Sequence, residues 1–520
     1  MQSVSGPTDH VVVVGAGLSG LAAALHLLGA QRRVTVVERD ALPGGRAGRF
    51  DMGDFRVDSG PTVLTMPDIA DEAFAAVGDR LADRVELVEL HPAYRAQFAD
   101  GTQLDVHTGA EAMAEEVRRF AGEREAEGYR RLRIWLSDLY AAQMRRFIDT
   151  NFDSPLQLLH PDLLRLARLR AFGRLDPQIS RFLSDERLRR VFSFQALYAG
   201  VAPEQALAAY AVIAYMDTVA GVYFPRGGMH ALPRAMADSA AAAGAAFHWN
   251  TEVTELERSG DRVTAVHTSA GEHIACDAVV LTPDLPTVYR LLGKSPRRSV
   301  GLTHSPSAVI LHAGTDRSWP QLAHHTISFG AAWKSTFREL TVDGAVMSDP
   351  SLLITRPTTH DPSLAPEGKH LHYILAPCPN TDIGPGVSEW RDLAPRYRDD
   401  LVAELERRGL EGLGESIEQE SLITPVDWTA QGHAAGTPFS AAHTFAQTGP
   451  FRPRNLVRGI ENAVIAGCGT TPGVGVPTVL ISGKLAAARI TGGSAPRRRT
   501  YSGRGESLAL RSGQAGGITP

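Results

Sequence analysis

The residues best placed to do chemistry stand near the start of the chain. Gly15, Gly17 and Gly20 form a G-x-G-x-x-G turn, and Glu38 follows a little further on. Backbone N–H groups at such a turn bind phosphate, and a carboxylate at this spacing accepts hydrogen bonds from an adenosine ribose. The elements that must position them can be read locally. His10–Val14 is an apolar, β-branched run, as expected of a buried parallel strand. It leads into the glycines and the helical pattern LAAALHLLGA, and a second strand over residues 33–37 ends at Glu38. Strand, glycine turn, helix, strand and acid in that order make a dinucleotide-binding unit. Gly15 permits the tight turn, Gly17 lets the backbone approach a pyrophosphate, and Gly20 lets helix and strand pack closely. Glu38 would repel a 2′-phosphate, which disfavours NADP.

NAD and FAD both fit to this point, and the next segment separates them. Arg39 opens a stretch that reaches the glycine pair Gly44 and Gly45, then Arg46. It resembles the extension found in the amine oxidase and phytoene desaturase superfamily of flavoproteins. The resemblance implies that the glycines pass close to the flavin diphosphate and that the arginine adds charge-assisted contacts. Residues 50–58 read as a hairpin turning at Met52-Gly53-Asp54. Residues 59–62 then read as an ordinary turn or as backbone approaching the flavin.

A second glycine-rich junction lies near the other end. Residues 462–465 read as a strand, and Gly467, Gly469, Gly473, Gly475, Val476 and Pro477 lead from it into the helix VLISGKLAAARI. The N-terminus of that helix carries partial positive charge and would stabilise the negative charge that reduction places on a flavin ring. Residues 247–256, 262–268 and 276–281 read as three more strands. The resemblance places a backbone contact to the adenine at Val253.

Bulk properties agree with a multidomain globular protein. The chain has 520 residues, 43% hydrophobic and 21% charged, with a net charge of −5. Length predicts more than one domain, and the charge gives no reason to expect a nucleic-acid partner. Cys276, Cys378 and Cys468 are far apart without metal-ligand spacing, as suits thiols acting as small apolar residues in a reducing cytoplasm. The polar opening MQSVSGPTDH predicts no secretory signal. The longest nearly apolar stretch, 206–216, is shorter than the ~20 residues a bilayer needs and predicts a buried helix.

Further stretches extend the resemblance to residues 10–493. They are VVVVGAGLSGLAAA with PGGRAG, VDSGPTVLT at 57–65, FSFQALYAGVAPEQA at 192–206 and GVYFPRGGMHAL at 221–232. FRPRN at 451–455 and GCGTTPGVGVPTVLISGK at 467–484 complete the set, with Thr471 where many members carry histidine. On these motifs the chain is identified as a member of the bacterial-type phytoene desaturase (carotenoid desaturase) family. The resemblance implies an α/β fold with a Rossmann-like FAD-binding domain assembled from residues 1–94, 222–303 and 451–493. An α+β substrate domain would comprise 95–221 and 304–450, and 494–520 would be a disordered tail. It further implies desaturation of phytoene or a related polyisoprenoid hydrocarbon towards lycopene-type products, with FAD as redox cofactor and peripheral attachment to a membrane. Whether the chain forms a homo-oligomer is left open.

Desaturation removes a hydride and a neighbouring proton, so the protein has to position substrate and exclude water, and either a side chain supplies a base or the flavin does most of the chemistry. No catalytic triad, metal cluster or paired acid is visible in the sequence. Some family members carry an Arg-Asp pair before a long basic helix. The corresponding Asn151-Phe152-Asp153-Ser154 lacks the arginine, leaving Asp153 as the candidate base or a helix N-cap. Residues 161–182 read as a basic amphipathic helix with Arg165, Arg168, Arg170, Arg174 and Arg181, either at a membrane interface or solvated. Phe192, Phe194, Tyr198, Tyr210, Tyr215 and Tyr223 would line a polyene tunnel or pack in the core. The alternatives on the same fold are a carotenoid isomerase or oxygenase, an amine oxidase and a non-catalytic prenyl-lipid carrier.

Overall fold

Successive side chains of a strand alternate between faces, and the valines of His10–Val14 sort two layers by this rule. Val11 and Val13 pack with helices, whereas Val12 and Val14 pack with a β-meander. The computed structural model describes residues 1–154, 157, 160–294 and 301–493. In it His10–Val14 is the centre of a five-stranded parallel sheet, in the order Ala463–Ile465, Ala278–Leu281, His10–Val14, Arg33–Val37 and Ala246–His248. Helices Leu18–Gly29, Ala231–Ala242 and Val476–Thr491 share a core with one face of this sheet. On the other face lies the antiparallel meander Val253–Ser259, Arg262–Thr268 and His273–Ala275. Burial on both faces explains why these strands read as continuous apolar runs.

The stretch 247–256, expected as one strand, is two. Ala246–His248 belongs to the parallel sheet and Val253–Ser259 to the meander. Between them Asn250 takes a left-handed φ of 53°, and the amides of Asn250 and Thr251 donate to the carbonyls of Asp40 (3.1 Å) and Glu38 (2.8 Å). The chain thereby crosses from one layer to the other beside Glu38.

A second, seven-stranded sheet runs Ile417–Ile423, Ser307–Thr315, His370–Cys378, Leu352–Thr355, His325–Ser328, Tyr94–Gln97 and Gln103–Val106. Helix Val387–Arg407 covers one side of it, with Trp390, Leu401 and Leu405 against Val309, Leu311 and Ile374. A layer of helices, among them Ala110–Ala121, Glu123–Gln143 and Ala211–Thr218, shares a core with Tyr94, Ala96, Ile327 and Phe329. The class is mixed α/β, a Rossmann-like unit built from separated segments beside an α+β unit. Residues 494–520, expected as a tail, lie outside the described residues.

Two helix expectations are corrected. The long helix over 161–182 breaks into Pro161–Arg168 and Leu175–Ile179. Arg170 adopts φ 58°, and residues 171–175 exchange backbone hydrogen bonds with 206–209: Leu175 N to Ala206 O, Ala208 N to Gly173 O and Ala209 N to Ala171 O. Tertiary backbone pairing has displaced helix propagation. The same pairing delays the buried helix expected at 206–216, which opens as a 3-10 turn at Ala208–Tyr210 and becomes α-helical over Ala211–Thr218.

The first and last helices of the parallel unit touch backbone to backbone. A Cβ on Gly483 would lie 2.2 Å from the Ser19 carbonyl oxygen. Gly483→Ala gains roughly 1 kcal/mol of helix propensity but must push two helices apart, an overpacking cost of about 1–3 kcal/mol that a backbone neighbour cannot relieve. A lower thermal unfolding midpoint is expected; an equal or higher midpoint would show that the contact is not limiting.

Candidate active site

One cavity of about 1540 Å³ is lined by elements of both units. The expected cofactor residues Gly15, Gly17, Glu38, Arg39, Gly45, Arg46, Val253, Gly467, Gly475, Val476 and Pro477 all line it. Gly20 stands behind them, where a Cβ would meet the Gly15 carbonyl oxygen at 2.0 Å. The structure thus brings the two glycine-rich junctions to one wall.

Local bonding explains the shape of this wall. Gly15 N donates to Val37 O at 2.8 Å, and Gly44 N donates to Ala16 O at 2.9 Å. A side chain at Gly15 would collide with Thr282 Oγ1, 2.2 Å from its Cβ position, so backbone alone faces the cavity there. Helix Leu18–Gly29 starts at Gly17 with no side chain capping its first turn, which leaves N–H groups and the positive end of the helix dipole for a diphosphate. Glu38 is buried; its two oxygens accept from Ala16 N (2.5 Å) and Asp40 N (3.0 Å). Burial pushes its carboxyl above the usual range, while those two backbone donors favour the charged form. The donor set, the bare glycine backbone and the carboxylate fit the phosphates and ribose of FAD.

Arg46 joins segments that are far apart in the chain. Its Nη1 donates to Cys468 Sγ at 2.9 Å and its Nη2 to Asp284 Oδ2 at 3.3 Å. Asp284 also accepts from Leu285 N and from Ala434 N, both at 3.0 Å. Burial raises the Asp284 carboxyl, but the Arg46 charge and the backbone donors outweigh it and hold the group below its ordinary value. His433, beside the same cluster, is pushed down to about 3 by burial and by Arg46, and so is neutral. Sequence reasoning missed Asp284. Its place after strand Ala278–Leu281 and before Leu-Pro is an N-cap signature, yet nothing local pairs it with Arg46.

The FRPRN stretch has a structural task. The buried guanidinium of Arg452 donates to the carbonyls of Thr470 (3.0 Å) and Cys468 (2.5 Å), fastening the loop before the last helix. Gly475 caps that helix, Val476–Thr491, whose first residues line the cavity. Its dipole is therefore directed at the cofactor wall.

Asp153 does not line the cavity. It forms an ion pair with Arg489 and accepts from Gln2 N at 2.7 Å. Its carboxylate ties the chain start to the last helix, which removes it as candidate base. The six aromatic candidates divide. Phe194, Tyr198 and Tyr210 line the cavity, whereas Phe192 packs on Tyr129, Tyr215 stacks on Tyr140 at 4.3 Å, and Tyr223 sits in a strand paired with Leu87–Glu89. Leu163 and Leu166 of the short basic helix also line the cavity, as do Phe172, Phe445 and Phe451, which are 46%, 64% and 48% exposed. One acid missed by sequence reasoning, Asp217, stands among these apolar groups. Strand pairing also gathers Glu257, His267 and His273 on the meander, where the carboxylate accepts from both rings at 3.1 and 3.2 Å.

The family model for flavin containing amine oxidoreductases matches residues 18–491. A phytoene dehydrogenase of Streptomyces griseus is 77% identical over 95% of this chain and 97% of its own. The chain belongs to the flavin containing amine oxidoreductases, among their bacterial phytoene desaturases. A lycopene-forming phytoene desaturase of Pseudescherichia vulneris is 34% identical over 92% of this chain and 98% of its own. Among solved structures, an oxidoreductase from Methanosarcina mazei shares the fold at a TM-score of 0.58 and 17% identity, over 91% of this chain and 99% of that one. FAD is the cofactor of this family and of this chain.

Removing Glu38 tests the ribose contact. Hydrogen bonds to a charged group are worth about 1.5–3 kcal/mol, so Glu38→Ala should weaken FAD retention roughly ten- to hundredfold. The flavin-to-protein absorbance ratio after dialysis measures this, and a fully flavinated variant would refute the assignment.

Proposed function

We propose that this enzyme desaturates phytoene, or a closely related polyisoprenoid hydrocarbon, towards lycopene-type products. The observation that carries the reading is the continuity of one cavity from the glycine-rich cofactor wall to an apolar chamber that opens among exposed phenylalanines. A long hydrocarbon can enter such a chamber without leaving an apolar environment. When bound, FAD supplies the hydride acceptor. The protein's part is to hold the chain in place and exclude water, through Phe194, Leu197, Ile327, Phe329, Trp333 and Leu353. Segments around the parallel sheet would bind FAD at Gly15, Gly17, Glu38, Arg46, Gly467 and Gly475, with Val253 on the adenine. Segments around the seven-stranded sheet would bind the substrate.

The same reading places the cavity mouth on a membrane surface. Helix Pro161–Arg168 turns Leu163 and Leu166 inward and leaves Leu164 exposed, with Arg165, Arg168, Arg170 and Arg174 exposed around it. Phe172, Phe445 and Phe451 add apolar surface at the rim. Aromatic groups entering the acyl boundary while arginines reach lipid phosphates would anchor the enzyme peripherally. No helix among the described residues is long and apolar enough to cross a bilayer.

Incubation with phytoene in liposomes tests the chemistry: flavin bleaching is expected under anaerobic conditions and coloured carotenes once an electron acceptor is admitted to reoxidise the flavin, and neither appearing would overturn the reading. Sedimentation with the same liposomes tests the anchor. Burying a phenylalanine is worth about 1.5–3 kcal/mol, so replacing Phe445 and Phe451 by aspartate should lower the bound fraction at least tenfold with FAD content unchanged. Undiminished sedimentation would place the anchor elsewhere.

A further inference from the structure

Helix Ala211–Thr218 turns Val212, Ile213, Met216 and Asp217 towards the cavity, at the i and i+4 spacing of one helical face. Asp217 is 3% exposed, and its Oδ2 has no hydrogen-bond partner. No ion pair reaches it among the described residues. Arg133, on the neighbouring helix Glu123–Gln143, is engaged by Tyr129 Oη (3.1 Å) and the Thr218 carbonyl (3.4 Å). The groups that face Asp217 from other elements are phenols. Tyr94 comes from strand Tyr94–Gln97 and Tyr198 from the turn Phe194–Ala199, and both are raised well above the ordinary phenol value by burial and by Asp217. The Tyr94 hydroxyl, which has no other partner, faces the Asp217 carboxyl as a donor and favours its charged form. His325, whose ring lies 6.1 Å from that of Tyr94, is held neutral by burial, at about 3.

A buried carboxyl without a cation is costly, and leucine or asparagine would fill this position at lower cost. Burial pushes the Asp217 carboxyl up to about 7, with Tyr94 opposing the shift. That is where a general base works best at neutral pH.

We propose that Asp217 is the catalytic base of desaturation, a role that rests on the desaturase reading of the cavity. At one substrate carbon the C–H bond breaks and hydrogen leaves with both electrons as hydride to the flavin oxidant. The conjugated chain delocalises the positive charge left behind. At the adjacent carbon the C–H bond breaks, its electron pair becomes the new π bond, and the proton forms an O–H bond with Asp217 Oδ2. The substrate loses two electrons and two hydrogens, the flavin gains the hydride, and the carboxyl gains the proton, which is released before the next round. The base must start ionised, so the rate rises with pH through the Asp217 value and falls when the group is protonated below it.

The test uses the full chain loaded with FAD and phytoene in liposomes, following single-turnover flavin reduction across pH and infrared difference spectra. Wild type should show a rate limb near pH 7 and a carboxyl C=O band that grows on turnover. Asp217→Asn should keep FAD and sediment normally with the same liposomes, lose the band, and slow flavin reduction on the order of 10²–10⁴-fold with no pH limb. Asp217→Glu should retain activity with a shifted limb and a shifted band, and it decides the matter if the asparagine variant does not fold. An asparagine variant with wild-type rate and pH profile, or a glutamate variant with both limb and band unmoved, overturns the role of Asp217. A wild type that does not reduce its flavin with phytoene overturns the desaturase reading instead.

Discussion

Arg46 is a cation on the cavity wall, its side chain 26% exposed, whose guanidinium partners come from two distant parts of the chain. Asp284 lies at the end of the fourth strand of the parallel sheet, Cys468 in the loop after the fifth, and the Ala434 amide shares the Asp284 carboxylate. With Asp284 buried and Arg46 partly exposed, the pair is weak evidence of net stabilisation, but removing Arg46 would leave a buried carboxylate without its cation. Its effect is therefore to specify register. The Gly44–Gly45 segment is held against the first glycine turn by Gly44 N to Ala16 O, and the guanidinium that follows it joins that segment to Asp284 and Cys468. Arg452 repeats the device one layer out by holding the carbonyls of Cys468 and Thr470. Two arginines thus turn a sheet assembled from five separate strands into a continuous cofactor wall.

The parts of this wall that were legible in the sequence are those whose cause is local. A strand buried on both faces must be continuously apolar, a turn that meets backbone must be glycine, and a helix that binds phosphate must begin without a side-chain cap. Each constraint leaves its residue type at a fixed offset, which is why Gly15, Glu38 and Gly475 could be named from spacing, whereas Gly45 was named from the family resemblance. Asp284 could not. As a residue it reads as an N-cap, and its pairing with Arg46 exists only once strands from residues 10, 278 and 463 lie side by side.

The substrate end was harder to read for the same reason. Residues 161–182 have the periodicity of one basic helix, but helix propagation competes there with hydrogen bonds to 206–209, and the tertiary bonds prevail at Arg170. Asp153 was drawn from a resemblance to an Arg-Asp pair whose arginine is missing. The arginine it meets is Arg489, from the last helix, and the resulting ion pair leaves it no access to the cavity. Periodicity identifies a buried face without saying whether the face packs on protein or on a void, and so Phe192 and Phe194 were indistinguishable before the fold was known.

Chemistry on a hydrocarbon demands two opposed environments in one cavity. The cofactor end needs fixed charge and dipoles, and Arg46, Asp284 and two helix N-termini would supply them. The substrate end needs low polarity, and the buried histidines nearby are accordingly neutral: His443 beside Tyr210 and His325 beside Tyr94 are both held below their ordinary range chiefly by burial. A carbon losing hydride in such a chamber develops positive charge, which aromatic faces such as Phe194, Tyr198 and Phe329 can stabilise without offering a nucleophile that would trap it. A carboxylate is tolerable in that setting only where a proton transfer needs it. The same low polarity that excludes water from the polyene also brings an isolated acid into the range where it accepts a proton at neutral pH.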